Sequence, residues 1–232
     1  PKFFQELKNL GIKMLSYPEV LGIISKDKFT IAVSGTHGKT TTTAMIAKVM
    51  VDVGLEPTVI VGSLLRGSTS SDGEQGRTSG SNFIAGKSKY LVVEACEYRR
   101  SFLQLQPSIL VITNIDADHL DYYKDFDDVV RAFGELVREV PADGFVVCNP
   151  ALPGLQKALT GVKCQIVDYT KFRKVLKLKI PGKHTVDNAA AALAVAHSVG
   201  IAGEKPEKSL EDFSGTWRRF EYRGKTSHGV LV

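Results

Sequence analysis

The sequence predicts an α/β fold on a doubly wound, mostly parallel sheet, and three observations predict it. Short apolar runs of strand length recur along the chain, and helix-period stretches separate several of them. The first run leads at once into a glycine turn and then a helix, the order in which doubly wound folds begin. At 232 residues and 43% hydrophobic content the chain has enough material for one large domain with a sizeable core.

The elements follow in order. Phe29 to Val33 reads as a strand, Gly35 to Gly38 as a tight turn and Thr41 to Val53 as a helix. Further strands are predicted at Thr58 to Val61, Tyr90 to Val93, Ile109 to Thr113 and Gly144 to Val147, with a helix from Phe126 to Glu139. Ser63 to Gly86 is rich in Ser, Gly and Thr and is expected to be a mobile surface loop or an irregular hairpin. After Pro181-Gly182 an alanine-rich helix is expected from about Val186 to Val199, its small side chains suited to close packing. Trp217 to Val232 ends on an apolar run that reads as a strand cut short, and there is no initial Met, so the chain is expected to be a piece of a longer protein.

Composition narrows the function classes. No apolar run is long enough for a membrane span, and Ala189 to Val199 reads as a buried helix. The formal charge of +5 comes from 30 basic residues interleaved with 25 acids, with neither a basic stripe nor interleaved aromatics, which ranks nucleic-acid binding last. Cys96, Cys148 and Cys164 form no CxxC pattern and no complete set of pairs, so a reducing cytoplasm is the expected location.

The segment Ser34-Gly35-Thr36-His37-Gly38-Lys39-Thr40 carries the chemistry. Its glycines let backbone N–H groups close around an anion at the start of the following helix, so phosphate is the expected guest. Lys39 is then placed to bridge β and γ phosphates, and the Thr40 hydroxyl to ligate Mg²⁺. The spacing departs from GxxxxGK[ST], because Val33 stands where the first glycine would be. A glycine turn with a chance lysine is the plainer alternative.

The string GTHGKTTTT, Gly35 to Thr43, resembles the ATP-binding loop of the Mur ligases, and its histidine form is similar to the alanine-adding branch or its tripeptide-recycling relative. VVEACEYRRSFL (Val92 to Leu103) and TNIDADHLDYY (Thr113 to Tyr123) resemble that family's acidic and histidine motifs, and fit the recycling relative less well. IPGKHTVDNAAAALAV, from Ile180, and FSGTWRRFEY, from Phe213, are similar to its adenine-side helix and arginine motif. The resemblance implies that residues 1–28 end a preceding domain and linker, 29–223 form the central ATP-binding domain, and 224–232 close it or begin a C-terminal domain.

It also implies an ATP- and Mg²⁺-dependent ligase of peptidoglycan precursor synthesis, joining L-alanine to UDP-N-acetylmuramate through an acyl phosphate, with this piece alone inactive. Lys39, Glu94 and His119 are the implied catalytic residues; Thr40, Glu94 and His119 the implied Mg²⁺ ligands. ATP is expected to meet Gly35, Thr36, His37, Gly38, Lys39, Thr40, Thr41, Asn188, Arg218 and Arg219. Glu97 is a weaker candidate for positioning the loop, and Asp116, Asp118 and Asp121 are explained equally by capping. Thr185 stands where the family has an asparagine, with Lys183 or His184 as stand-ins. Arg99 and Arg100 are expected to meet a sugar nucleotide or to pair with Glu97, and Asn82 to face substrate. His37 is left between substrate and a neighbouring domain. The competing readings are a P-loop NTPase of another class and a binding-only piece.

Overall fold

The computed structural model describes residues 2–65 and 81–216. Two helices come first, α1 (Lys2–Asn9) and α2 (Tyr17–Lys26), the second fixed by a capping box in which Ser16 and Glu19 satisfy each other's backbone N–H groups. There follow β1 (Phe29–Ser34), α3 (Lys39–Asp52), β2 (Thr58–Leu65), β3 (Ser81–Ile84), β4 (Tyr90–Glu94) and β5 (Ile109–Ile112). Then come α4 (Phe126–Arg138), β6 (Phe145–Cys148), α5 (Leu155–Ala158), β7 (Gln165–Asp168), α6 (Lys183–Ser198) and α7 (Lys205–Glu211).

The seven strands form one sheet in the order β3-β2-β4-β1-β5-β6-β7, parallel throughout except for β3, which runs antiparallel to β2 at one edge. The continuous apolar runs of the central strands have a simple cause: both faces are covered. Ile31, Val33, Val92, Val111 and Val147 point into a core closed by α3, α6 and α7. Ala32, Leu91, Val93, Leu110, Ile112 and Val146 point into a second core closed by α2, α4 and α5. The two-residue period of the strands divides neighbours between two separate cores.

The doubly wound fold is therefore observed. From β1 the chain crosses over β4 to reach β2, then returns through β4 and continues past β1 to β5, so the strand order reverses at β1. In such sheets the carboxyl ends of the strands beside the reversal form the natural crevice. Here those ends are Ser34, Glu94 and Ile112, in register as Val33 beside Glu94 and Ser34 beside Ile112.

Several boundaries differ from expectation. α3 begins at Lys39 and α6 at Lys183, each directly after a glycine with positive φ, Gly38 at 86° and Gly182 at 112°. Such a glycine turns the chain into the helix at once, so the first turn includes polar residues that carry no apolar period. Of Ser63 to Gly86, the described ends are the arms of a hairpin, β2 running on to Leu65 and β3 returning from Ser81; residues 66–80 lie outside the described residues. The strand expected within Trp217 to Val232 lies outside them too. β7 was not anticipated: its burial is slight, and Gln165 and Ile166 are exposed on an edge strand. Among the described residues no helix is long and apolar enough to cross a membrane.

Candidate active site

The loop between β1 and α3 is held in place by the segment that leaves β5. Thr36 N–H donates to the Asn114 carbonyl at 3.1 Å, and Asp116 N–H donates to the Thr36 hydroxyl at 2.9 Å. The Asn114 side chain accepts from His37 N–H and donates to the His37 carbonyl, both at 2.9 Å, while the Thr113 hydroxyl donates to that same carbonyl at 2.6 Å. Glycine at position 35 is required twice over. Its φ is 129°, and a Cβ there would lie 2.1 Å from the Thr113 hydroxyl oxygen and 2.9 Å from the Asn114 carbonyl oxygen.

Gly38 ends the loop and caps α3, whose first N–H groups have no partner one turn earlier in the helix and no side-chain cap. A Cβ on Gly38 would meet the Asn188 side-chain oxygen at 2.8 Å. This puts Asn188, 7% exposed, directly behind the loop. Thr185, in contrast, is buried and its hydroxyl donates to the Pro181 carbonyl at 3.1 Å, a bond within its own helix start. Lys183 and His184 are exposed at that end of α6.

Lys39 and Thr40 open α3 and meet the carboxylates at the end of β4. The Thr40 hydroxyl donates to Glu94 Oε1 at 3.0 Å, and Glu94 Oε2 accepts from Gly62 N–H at 2.7 Å. Lys39 Nζ donates to the carbonyls of Gly35 at 2.5 Å and Thr36 at 3.0 Å, and to Glu97 Oε1 at 2.8 Å. Thr41 is half-buried in the first turn, and His37 is exposed at the tip of the loop.

Glu97 is more central than its sequence suggested. Only 2% exposed, it is the ion-pair partner of Lys39, and its other oxygen, Oε2, is buried with no hydrogen-bond partner. His119 approaches the same carboxylate, Nε2 lying 3.7 Å from Glu97 Oε1. Its backbone is left-handed (φ 55°), its N–H donates to Asp118 Oδ1 at 2.7 Å, and its ring packs against Tyr98 at 4.9 Å between centroids. The Tyr123 hydroxyl donates to the Glu97 carbonyl, and burial pushes that phenol well above its ordinary value.

The remaining candidates separate into local and open roles. Asp116 accepts from Ala117 N–H, Asp118 from His119 N–H, and Asp121 from the Tyr98 hydroxyl, so all three aspartates serve local structure. Arg100 is taken by Glu135 at 2.5 Å and Asp128 at 3.0 Å rather than by Glu97. Those two acids hold its guanidinium above its ordinary range. Arg99 is exposed and lies over the Tyr98 ring at 5.3 Å. Asn82 is exposed on β3. Arg218 and Arg219 lie outside the described residues.

Sequence reasoning missed the clamp of Thr113 and Asn114. Two polar residues directly after a wholly apolar strand, on the same sheet edge as the glycine loop, were the available signal. Among the described residues no group of three or more His, Cys, Asp or Glu side chains gathers at metal-binding spacing. The hydroxyl–carboxylate pair of Thr40 and Glu94 is nonetheless an all-oxygen set suited to a hard cation that keeps most of its other ligands from phosphate and water. A groove of ≈ 380 Å³ lined by Phe145, Ile166, Phe172 and His197 lies beyond the far end of α6 and gathers none of these residues.

Comparison with known proteins agrees with this geometry. Residues 33–174 match the Mur ligase middle domain. The chain is 38% identical to a UDP-N-acetylmuramate–L-alanine ligase of Caldanaerobacter subterraneus subsp. tengcongensis, across 99% of this chain and 54% of that protein. It thus spans about half the length of the curated relatives it matches. Among solved structures, it is similar to the UDP-N-acetylmuramate:L-alanyl-γ-D-glutamyl-meso-diaminopimelate ligase of Neisseria meningitides, with a TM-score of 0.76 and 26% identity over 93% of this chain and 75% of that one. It is likewise similar to the UDP-N-acetylmuramate-alanine ligase of Thermotoga maritima, with a TM-score of 0.69 and 25% identity over 93% of this chain and 51% of that one. With the glycine loop, Glu94 and His119 all inside the matched span, the chain belongs to the Mur ligase family, through that family's middle domain.

Proposed function

We propose that this chain is the ATP-binding core of a ligase that joins L-alanine to the lactyl carboxylate of UDP-N-acetylmuramate in peptidoglycan precursor synthesis, in the cytoplasm. The observation that carries the reading is the meeting of Lys39 with Glu97 and of Thr40 with Glu94 at the strand-order reversal, under a glycine loop that opens a helix. The relatives' names supply the substrates. Residues 29–223 would be the central domain, residues 1–28 the end of a preceding one, and 224–232 its close or the start of another.

In this reading the loop from Gly35 to Thr41 holds the nucleotide's phosphates, and Asn188 backs it from α6. Lys39 places its ammonium against the charge that develops as the substrate carboxylate takes the γ-phosphoryl group. The amine of L-alanine then displaces phosphate from the acyl phosphate and forms the amide. Thr40 and Glu94 would hold one Mg²⁺ and His119, on the strength of its motif, a second, and the ions would neutralise phosphate charge during transfer. Arg218 and Arg219 would contact phosphate as guanidinium forks.

A second substrate choice has one observation in its favour: the similarity to the Neisseria ligase whose named substrate is a tripeptide. The test is ADP release by the whole polypeptide that carries this chain, given ATP, Mg²⁺ and UDP-N-acetylmuramate, with L-alanine, with the tripeptide, or with neither. Release that depends on L-alanine is expected. Release that depends on the tripeptide moves the assignment to the recycling reaction, and release with neither makes the protein an NTPase.

A further inference from the structure

A lysine ammonium has three protons to donate. Those of Lys39 are all taken: by the carbonyls of Gly35 and Thr36 within its own loop, and by Glu97 Oε1 at 2.8 Å. A phosphate entering the loop has to displace at least one of these acceptors. Glu97 is the charged one, and it cannot remain against the lysine while a phosphate oxygen takes the same place. It is also 2% exposed, so water cannot readily replace what it loses. Two features show how little else holds this carboxylate. Oε2 is buried without a partner, and His119 Nε2 lies 3.7 Å from Oε1, a near neighbour short of full contact.

We propose that Glu97 is a latch on the phosphate loop: it holds Lys39 while the loop is empty, and gives the lysine up to phosphate when a nucleotide enters. This rests on the nucleotide reading above, and makes Glu97 a positioning residue that acts through Lys39. The latch balances the buried ammonium in the empty state, and it sets a threshold for entry. A ligand must offer enough charge to replace a buried carboxylate, a demand that favours a polyphosphate over a single inorganic phosphate. Tyr123 serves the latch from behind, holding the Glu97 backbone through its carbonyl.

A double-mutant cycle isolates the contact. ADP binding is measured by calorimetry on the chain itself, on Glu97→Gln, on Lys39→Met and on the double variant, each first checked for a cooperative unfolding transition. Removing the carboxylate relieves its repulsion of phosphate in either background, but releases Lys39 only where Lys39 is present. Glu97→Gln is therefore expected to tighten ADP binding in the Lys39 background by about five-fold more than in the Lys39→Met background, the scale of one hydrogen bond to a charged group exchanged for another. Equal gains in the two backgrounds overturn the latch, because the contact then survives binding. Weaker binding by Glu97→Gln also overturns it, since Glu97 would then aim Lys39 at phosphate. Should Glu97→Gln not fold, Glu97→Asp runs the same cycle with the carboxylate drawn back from Lys39. A folded parent chain that binds no ADP overturns the nucleotide reading itself, and the latch with it.

Discussion

Gly35 shows how much of the site hangs on one residue. Its φ of 129° belongs to a region that side chains rarely adopt, and any Cβ would strike the Thr113 hydroxyl and the Asn114 carbonyl. Gly35→Ala is expected to destabilise the fold by about 1–3 kcal/mol, read from urea unfolding, and to abolish measurable ADP binding in calorimetry. Asn114→Ala removes both side-chain bonds to His37 and is expected to lower stability by about 1–2 kcal/mol, with ADP affinity falling because the loop loses its clamp. At this scale the sequence was informative where spacing carried the chemistry: Lys39 and Thr40 stand one after the other at a helix start, and Glu94 at a strand end. It offered Glu97 only as a weaker candidate for positioning the loop, because an acid three residues beyond Glu94 reads the same whether solvated or buried. Burial came from Tyr123, His119 and Lys39, which other segments bring in. The absent asparagine at position 185 also takes on a definite meaning. Thr185 turns inward to Pro181, and the residue against Gly38 is Asn188.

Among the elements, α6 backs the loop through Asn188 and through its packing on α3. Its run of alanines from Ala189 to Ala192 is buried in the core that α6 shares with α3, and small side chains let the two helices approach closely. Ala191→Leu is expected to cost about 1–3 kcal/mol by overpacking, seen as a lower urea midpoint with an unchanged denaturant slope. The strongly periodic helix α4 was legible, and the structure adds its cap: Asp125 accepts from Asp128 N–H at 2.8 Å at the start of α4. The short pieces were not. α5 and β7 have four residues each, too few to establish a period, and β7 owes its strand geometry to pairing with β6.

For the whole molecule, buried acids link stability to alkaline pH. Burial, with Asp168 nearby, pushes the Cys148 thiol up to about 12 from an ordinary 9.0, and burial with Asp187 nearby pushes the Tyr169 phenol up to about 12 from 10.0. Both groups are neutral when protonated, so the unfolded chain releases these protons before the folded one does. Their contribution is whole below about pH 9 and is lost as pH climbs from about 9 towards about 12. The urea midpoint is expected to fall between about pH 8 and about pH 10.5, and to fall less steeply in Tyr169→Phe. That variant starts lower by about 1 kcal/mol, because the Tyr169 hydroxyl donates to the Thr113 carbonyl at 3.2 Å beside the loop. A slope unchanged in Tyr169→Phe would remove the phenol from this account. By itself the sequence determined the doubly wound class and the position of the glycine loop, because hydrophobic period and glycine spacing are local and survive without a partner segment. The tertiary structure decided which charges face one another. Lys39 meets Glu97 across 58 positions of chain, and Asn188 backs Gly38 from a helix much further on, through contacts that exist only once the sheet has brought its strand ends to one edge.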